Sequence, residues 1–224
     1  MTNGAGSITM IALHTYHRSS ASYRVRIALG IKGLPWAPVY VHLLRGGGEQ
    51  HRAAFRGLNP QGRVPVLLDG EVVLTQSLAI IEYLDETRPQ PPLLPSDAAG
   101  RARVRSLAQL IACDIQPLQN LSVTRYLHHE LACDEDRIRA WQVHWISNGL
   151  AALERRLATE RGTGRFAHGD APTLADCCLV PQCYAARRFG VDPSAYPTVA
   201  AIEARCLELP AFASAAPERQ GDFE

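Results

Sequence analysis

The sequence predicts a small α/β domain followed by an all-α helical domain. Three observations carry this. Strand-like and helix-like patterns alternate through roughly the first 88 residues. The stretch TRPQPPLLPSD, Thr87 to Asp97, then interrupts them with four prolines. From Ala98 onward the apolar residues recur almost entirely at helical spacing. The expected division is a tail over 1–7, a first domain over 8–88, a linker over 89–97 and a second domain over 98–224.

The elements follow in order. MTNGAGS at the start is small and polar and reads as a flexible tail. Ile8–Leu13 is short and β-prone. Ala21, Val25, Ala28 and Leu29 form a helical stripe over Ala21–Lys32, and Gly33 and Pro35 stop it. Val39, Val41 and Leu43 alternate as a strand does. Gly46–Gly48 is a loop without the GK[ST] of a phosphate loop. Ala53–Leu58 predicts a short helix. Val64 to Leu74 reads as a hairpin about Asp69-Gly70. Thr75-Gln76-Ser77 opens a helix with Leu78, Ile81 and Leu84 on one face. The resulting order β-α-β-α-β-β-α fits a small mixed sheet covered by helices.

In the second domain the periodicity predicts helices over Arg101–Cys113, Pro117–Leu131, Asp134–Leu157, Leu174–Phe189 and Val199–Leu207. Thr173 and Asp176 have capping-box spacing, so Asp176 reads as a helix cap.

Composition narrows the function. Of 224 residues, 46% are apolar and 20% charged, ordinary for a globular protein. A net charge of +1 gives no electrostatic reason to expect nucleic acid or an anionic membrane as partner. No apolar run approaches a membrane span, and the N-terminus lacks a signal-peptide pattern, so a cytoplasmic protein is expected. The six cysteines form no CxxC pair and no zinc spacing. They read as reduced core residues, and no metal site is expected.

Several residues could carry chemistry. In YHRSSASYRVRIAL, Ser19, Ser20 and Ser22 sit where a strand hands over to a helix. Free N–H groups and hydroxyls there suit an anion, though a plain helix cap would look the same. Gln76 and Ser77 begin another helix and could seat a carboxylate. Gln116 and Asn120 are four apart, which places them on one helical face. Arg188 and Arg18 offer guanidinium groups suited to carboxylates. Arg187 reads as solvent-facing, Arg24 and Arg26 as members of structural ion pairs. The histidines show no triad or metal spacing.

The blocks RSSASYRVRIAL, NPQGRVPVL, QSLAIIEYLDETRP, IQPLQNLSV, TLADCCLVPQ and RRFGVDPSAYPT together resemble the zeta class of cytosolic glutathione transferases. The resemblance runs from about Ile8 to the C-terminus. It implies a thioredoxin-like first domain, glutathione as cofactor and a homodimer. It also implies reversible thiolate addition that isomerises maleylacetoacetate to fumarylacetoacetate. Maleylpyruvate as substrate, transferase chemistry on α-haloacids and glutathione binding without turnover are the alternatives. By resemblance, Ser19 meets the glutathione sulfur, with Ser20 beside it. Val64, before a cis Pro65, pairs with the cysteinyl backbone. Gln76 and Ser77 hold the γ-glutamyl end and Gln50 the glycyl end. Gln116 and the Asn120–Ser122 stretch lie near the ligand. Arg18 and Arg188 hold substrate carboxylates. The sequence departs from its family at Ala21, where a cysteine is usual, so no protein thiol takes part at that position.

Overall fold

The computed structural model describes residues 10–224. The expected tail over 1–7 lies outside the described residues, as does the start of the first predicted strand at Ile8. That strand is observed as β1 (Ile11–Thr15), followed by α1 (Ser20–Ile31), β2 (Trp36–Tyr40) and α2 (Ala53–Leu58). The hairpin β3 (Val66–Asp69) and β4 (Val72–Thr75) leads into α3 (Ser77–Thr87). The sheet order is β2-β1-β3-β4, with β2 parallel to β1 and the other pairs antiparallel. This is the predicted mixed sheet.

Two boundaries move. Parallel pairing with β1 begins at Ile11↔Trp36 and ends at Thr15↔Tyr40, so β2 starts before the Val39–Leu43 stretch and overlaps it only at Val39 and Tyr40. As an edge strand it exposes Pro38, Val39 and Tyr40, while Val41, just beyond it, is buried. Proline is tolerated on such an edge. Asp69 pairs with Val72, which places the hairpin turn at Gly70-Glu71, one residue later than expected. Gly70 takes φ 63° at the first turn position, a conformation that favours glycine.

Lys32 at the end of α1 ties down the proline-rich linker. Its buried ammonium donates to Asp85 Oδ1 (2.6 Å) and to the carbonyls of Arg88 (2.8 Å) and Pro91 (2.6 Å). Beyond the linker run α4 (Ala98–Gln109), α5 (Leu121–His129), α6 (Glu135–Thr159), α7 (Leu174–Arg188), α8 (Pro197–Leu207) and α9 (Pro210–Ala213). The last of these was not anticipated. It is a single turn, opened by Pro210 and packed on α1.

The predicted helix over Pro117–Leu131 is broken. The chain passes from α4 through a π turn, Leu110–Ile115, and a 3-10 turn, Gln116–Gln119, before α5 begins. Pro117 cannot donate an intrahelical bond, so the regular helix stops upstream of it. Asn120 then starts α5 as its cap, accepting from Ser122 N–H (3.0 Å). Gln116 and Asn120 therefore do not share one helical face.

Helix α7 runs through the centre and packs against α1 and α4. Cys177, Cys178 and Cys183 are buried and free, as is Cys206. Cys113 is exposed and Cys133 half-buried, so the core reading holds for four of the six. Asp176 caps α7 as predicted. Its carboxylate accepts from Thr173 N–H, Thr173 Oγ1–H and Ala167 N–H, all at 2.8 Å. Burial outweighs those bonds and pushes its pKa up to about 6. Among the described residues no helix is long and apolar enough to cross a membrane.

Candidate active site

The turn from β1 to α1 places Ser19 at the helix N-cap, where its Oγ accepts from Ser22 N–H (3.1 Å). The cap uses a lone pair and leaves the hydroxyl proton free to donate. Cap and anion donor are therefore compatible roles for one serine. Around it lie two adjoining compartments of about 470 and 350 Å3. Both are lined by Ser19, Gln116 and Asn120, so these residues stand at the junction.

The first compartment collects most of the predicted cofactor residues. Gln50, Val64, Gln76, Ser77 and Ser122 line it, and so does Ala21. The Val64–Pro65 bond is cis. Gln50 is buried. Its Nε2 donates to Leu43 O (3.2 Å), and its Oε1 has no partner among the described residues. A Cβ at Gly48 would collide with this amide. Gln76 takes the left-handed φ of 68° and donates through Nε2 to Gln61 Oε1 (2.8 Å). Ser122 Oγ donates to Asn120 Oδ1 (2.9 Å) and accepts from Arg63 Nη2 (3.0 Å).

Arg24 differs from its expectation. Among the described residues it forms no ion pair. Nη1 donates to Ser77 Oγ (3.2 Å), while Nε and Nη2 are buried without partners among the described residues. The residue is 2% exposed yet lines the first compartment. Burial lowers its pKa. The available signal was helical spacing: Arg24 follows Ala21 by three and shares its cavity-facing side. Arg26 likewise has no carboxylate partner among the described residues. It donates to the carbonyls of Tyr16 (3.3 Å), His17 (3.0 Å) and Ala215 (3.0 Å) and to Thr15 Oγ1 (3.1 Å).

The second compartment brings Arg18 and Arg188 together with Ser20 and Tyr16. Arg18 Nη2 donates to Tyr16 Oη (3.0 Å). Arg188 sits at the exposed rim, its guanidinium over the Phe189 ring at 5.3 Å. Packing around its side chain lowers its pKa, and the Arg18 charge adds to the effect. Arg187 points elsewhere and pairs bidentately with Glu203 (2.7 and 2.6 Å). Arg24, Arg63 and Arg125 line the first compartment and Arg18 and Arg188 the second, and neither lining includes Asp or Glu. The site is built for anions, with a hydroxyl and a helix N-terminus at its junction.

Comparison with known proteins agrees with this geometry. Residues 13–92 match the N-terminal domain family of glutathione S-transferases, and residues 126–210 match the C-terminal one. The chain therefore belongs to the glutathione S-transferase family. Within that family it falls in the zeta class. It is 49% identical to a solved holo maleyl pyruvate isomerase of that class, with a TM-score of 0.91 over 95% of this chain and 100% of that one. A probable maleylacetoacetate isomerase of Vibrio cholerae is 51% identical, over 95% of this chain and 98% of its own. A maleylacetoacetate isomerase from Methylobacterium extorquens AM1, solved with malonate and glutathione, is 44% identical. Its TM-score is 0.92 over 95% of this chain and 99% of that one.

Proposed function

We propose that this chain is a glutathione-dependent cis–trans isomerase that converts maleylacetoacetate to fumarylacetoacetate. One observation carries the reading: Ser19 stands at the junction of two acid-free, arginine-lined compartments. One compartment suits an anionic peptide and the other a dicarboxylate.

The first compartment fits glutathione because three of its buried polar atoms lack partners among the described residues. Arg24 Nε and Nη2 and Gln50 Oε1 are unpaired. Arg24 with Gln76 and Ser77 would hold the γ-glutamyl carboxylate, Val64 the cysteinyl backbone and Gln50 the glycyl end. Gln116, Asn120 and Ser122 would close the site from the second domain. Ser19 would donate its hydroxyl proton to the sulfur, and the α1 N-terminus would favour its ionised form. Bound glutathione supplies a sulfur nucleophile that adds reversibly to the cis double bond and leaves once that bond has rotated. Arg18 and Arg188 would hold the substrate's carboxylates, and Ser20 lies on their side of the junction.

The test follows the trans product formed from maleylacetoacetate with and without glutathione. Formation only with glutathione is expected. Tight glutathione binding without turnover on any cis keto diacid points instead to a binding protein. Maleylpyruvate is the second reading, favoured by the close likeness to the solved maleyl pyruvate isomerase. Comparing kcat/KM for both acids decides between them. The family reading extends to a cytoplasmic homodimer. Val72 and Val73 on edge strand β4, 39% and 47% exposed, are apolar residues a partner could cover. Light scattering tests the dimer.

A further inference from the structure

The compartment of Arg18 and Arg188 is also lined by four side-chain amides, Gln116, Gln119, Asn120 and Gln142. Asn120 is occupied as the cap of α5. Gln119 is different, because a second amide holds it. Its Nε2 donates to Gln182 Oε1 (3.2 Å), and Gln182 Nε2 donates back to Gln119 Oε1 (3.1 Å). Gln182 lies on α7 and is 0% exposed, while Gln119 is 6% exposed. The reciprocal pair uses one N–H of each amide and leaves one over. Gln119 lines the compartment and Gln182 does not, so of the two amides it is Gln119 that a ligand there can meet.

We propose that Gln119 is a catalytic residue of the isomerisation, donating its remaining N–H to the substrate's ketone oxygen, and that Gln182 is its positioning residue. The proposal rests on the isomerase reading above. When a nucleophile bonds to the alkene carbon β to the ketone, the π pair shifts onto the ketone oxygen. When that bond breaks after rotation, the pair returns and the ketone re-forms. No proton needs to move. The oxygen gains charge only while the double bond is open, so a donor aimed at it acts on that state more than on the substrate. An amide already locked by a buried partner needs no reorganisation to do so. Being neutral, it attracts a substrate carboxylate less than a third arginine would, leaving the carboxylates to Arg18 and Arg188.

The test compares oxoheptanedioate, a saturated keto diacid, with heptanedioate, which lacks the ketone. Both are bound to the protein without glutathione. The wild type should bind the keto diacid more tightly, with the ligand's carbonyl stretch lowered in the infrared spectrum. The double variant Gln119→Leu with Gln182→Met removes both amides and leaves no buried partner unpaired. It should lose both the preference and the spectral shift. It should also lower kcat about 100-fold while KM and glutathione binding stay within about threefold. If the double variant does not fold, Gln119→Met is neutral, close in length, lacks the donor and carries the same expectation. Near-normal kcat in the folded variant, or a carbonyl stretch the same in wild type and variant, overturns the proposal. Absence of glutathione-dependent turnover in the wild type overturns the isomerase reading instead.

Discussion

Ser19 and Arg24 show how differently two polar residues of one helix are read. Ser19 was legible because its position after a strand and before a helical stripe restricts it to few roles. The Ser19→Ala variant loses the hydroxyl donor and the cap together. The cap loss should cost about 1 kcal/mol of stability. Turnover should fall about 100-fold, as for the loss of one preorganised donor. The thiolate absorbance of bound glutathione should titrate at higher pH in this variant. Unchanged titration removes Ser19 from contact with the sulfur. Arg24 was not legible, because its meaning lies in what is missing beside it. Nothing in RSSASYRVRIAL says that no carboxylate will reach that guanidinium. An unpaired buried cation costs the empty protein stability, and an apolar side chain of similar length does not. Arg24→Met should therefore raise the melting temperature of the glutathione-free protein. The same change should weaken glutathione binding at least about tenfold, the scale of one charge-assisted hydrogen bond. A variant that loses stability and keeps its affinity would show Arg24 to be structural.

At the scale of elements, periodicity located the helices but not their interruptions. IQPLQNLSV reads as the start of a helix at Pro117 and folds as the end of a π turn, a 3-10 turn and a capped helix start. Pro117 signalled a boundary; the widening before it depends on tertiary packing. Gly149 on α6 lies directly against Ile115 of the π turn, and a Cβ there would collide with the isoleucine side chain. Gly149→Ala should push that turn outward and carry Gln116 with it. The expected result is a loss of about 1–3 kcal/mol in stability with weaker glutathione binding, read by denaturation and calorimetry. Turn chemistry was more readable: the hairpin was placed within one residue because Gly70 supplies the positive φ. The capping box at Thr173 and Asp176 was also legible, but its pH behaviour was not, since that comes from complete burial. Because the folded pKa of Asp176, about 6, exceeds the ordinary 3.8, the native state binds this proton more tightly than the unfolded chain. This contribution to stability is fully present below about pH 4 and is lost as pH rises through about 6, on the order of 3 kcal/mol. Asp176→Asn should flatten that limb in urea denaturation measured between those pH values. A slope as steep as the wild type's would assign it to another group.

Across the whole molecule, the near-neutral total of +1 conceals an uneven arrangement of charge. Outside the cavity many cations are matched by acids: Lys32 by Asp85, Arg88 by Asp69, Arg105 by Glu82, Arg103 by Glu160 and Arg187 by Glu203. Inside it, arginines stand without any acid in the lining. Composition could not reveal this, because pairing elsewhere cancels the sum. The consequence is a local positive field in a protein with almost no net charge. Such a field draws dianions into the cleft and weakens as salt shortens the Debye length from about 10 Å at 0.1 M to about 3 Å at 1 M. KM for the keto diacid should therefore rise about tenfold over that range, with kcat changing much less. Arg18→Ala and Arg188→Ala should each raise KM by about 10- to 100-fold at low salt, because each removes a charged hydrogen-bond donor. Each should also reduce the salt dependence, since fewer charges remain to be screened. Arg187→Ala, which breaks an ion pair outside the cavity, should leave both KM and its salt slope as they were. If all three variants keep the wild-type slope, attraction by the cavity arginines does not set substrate affinity.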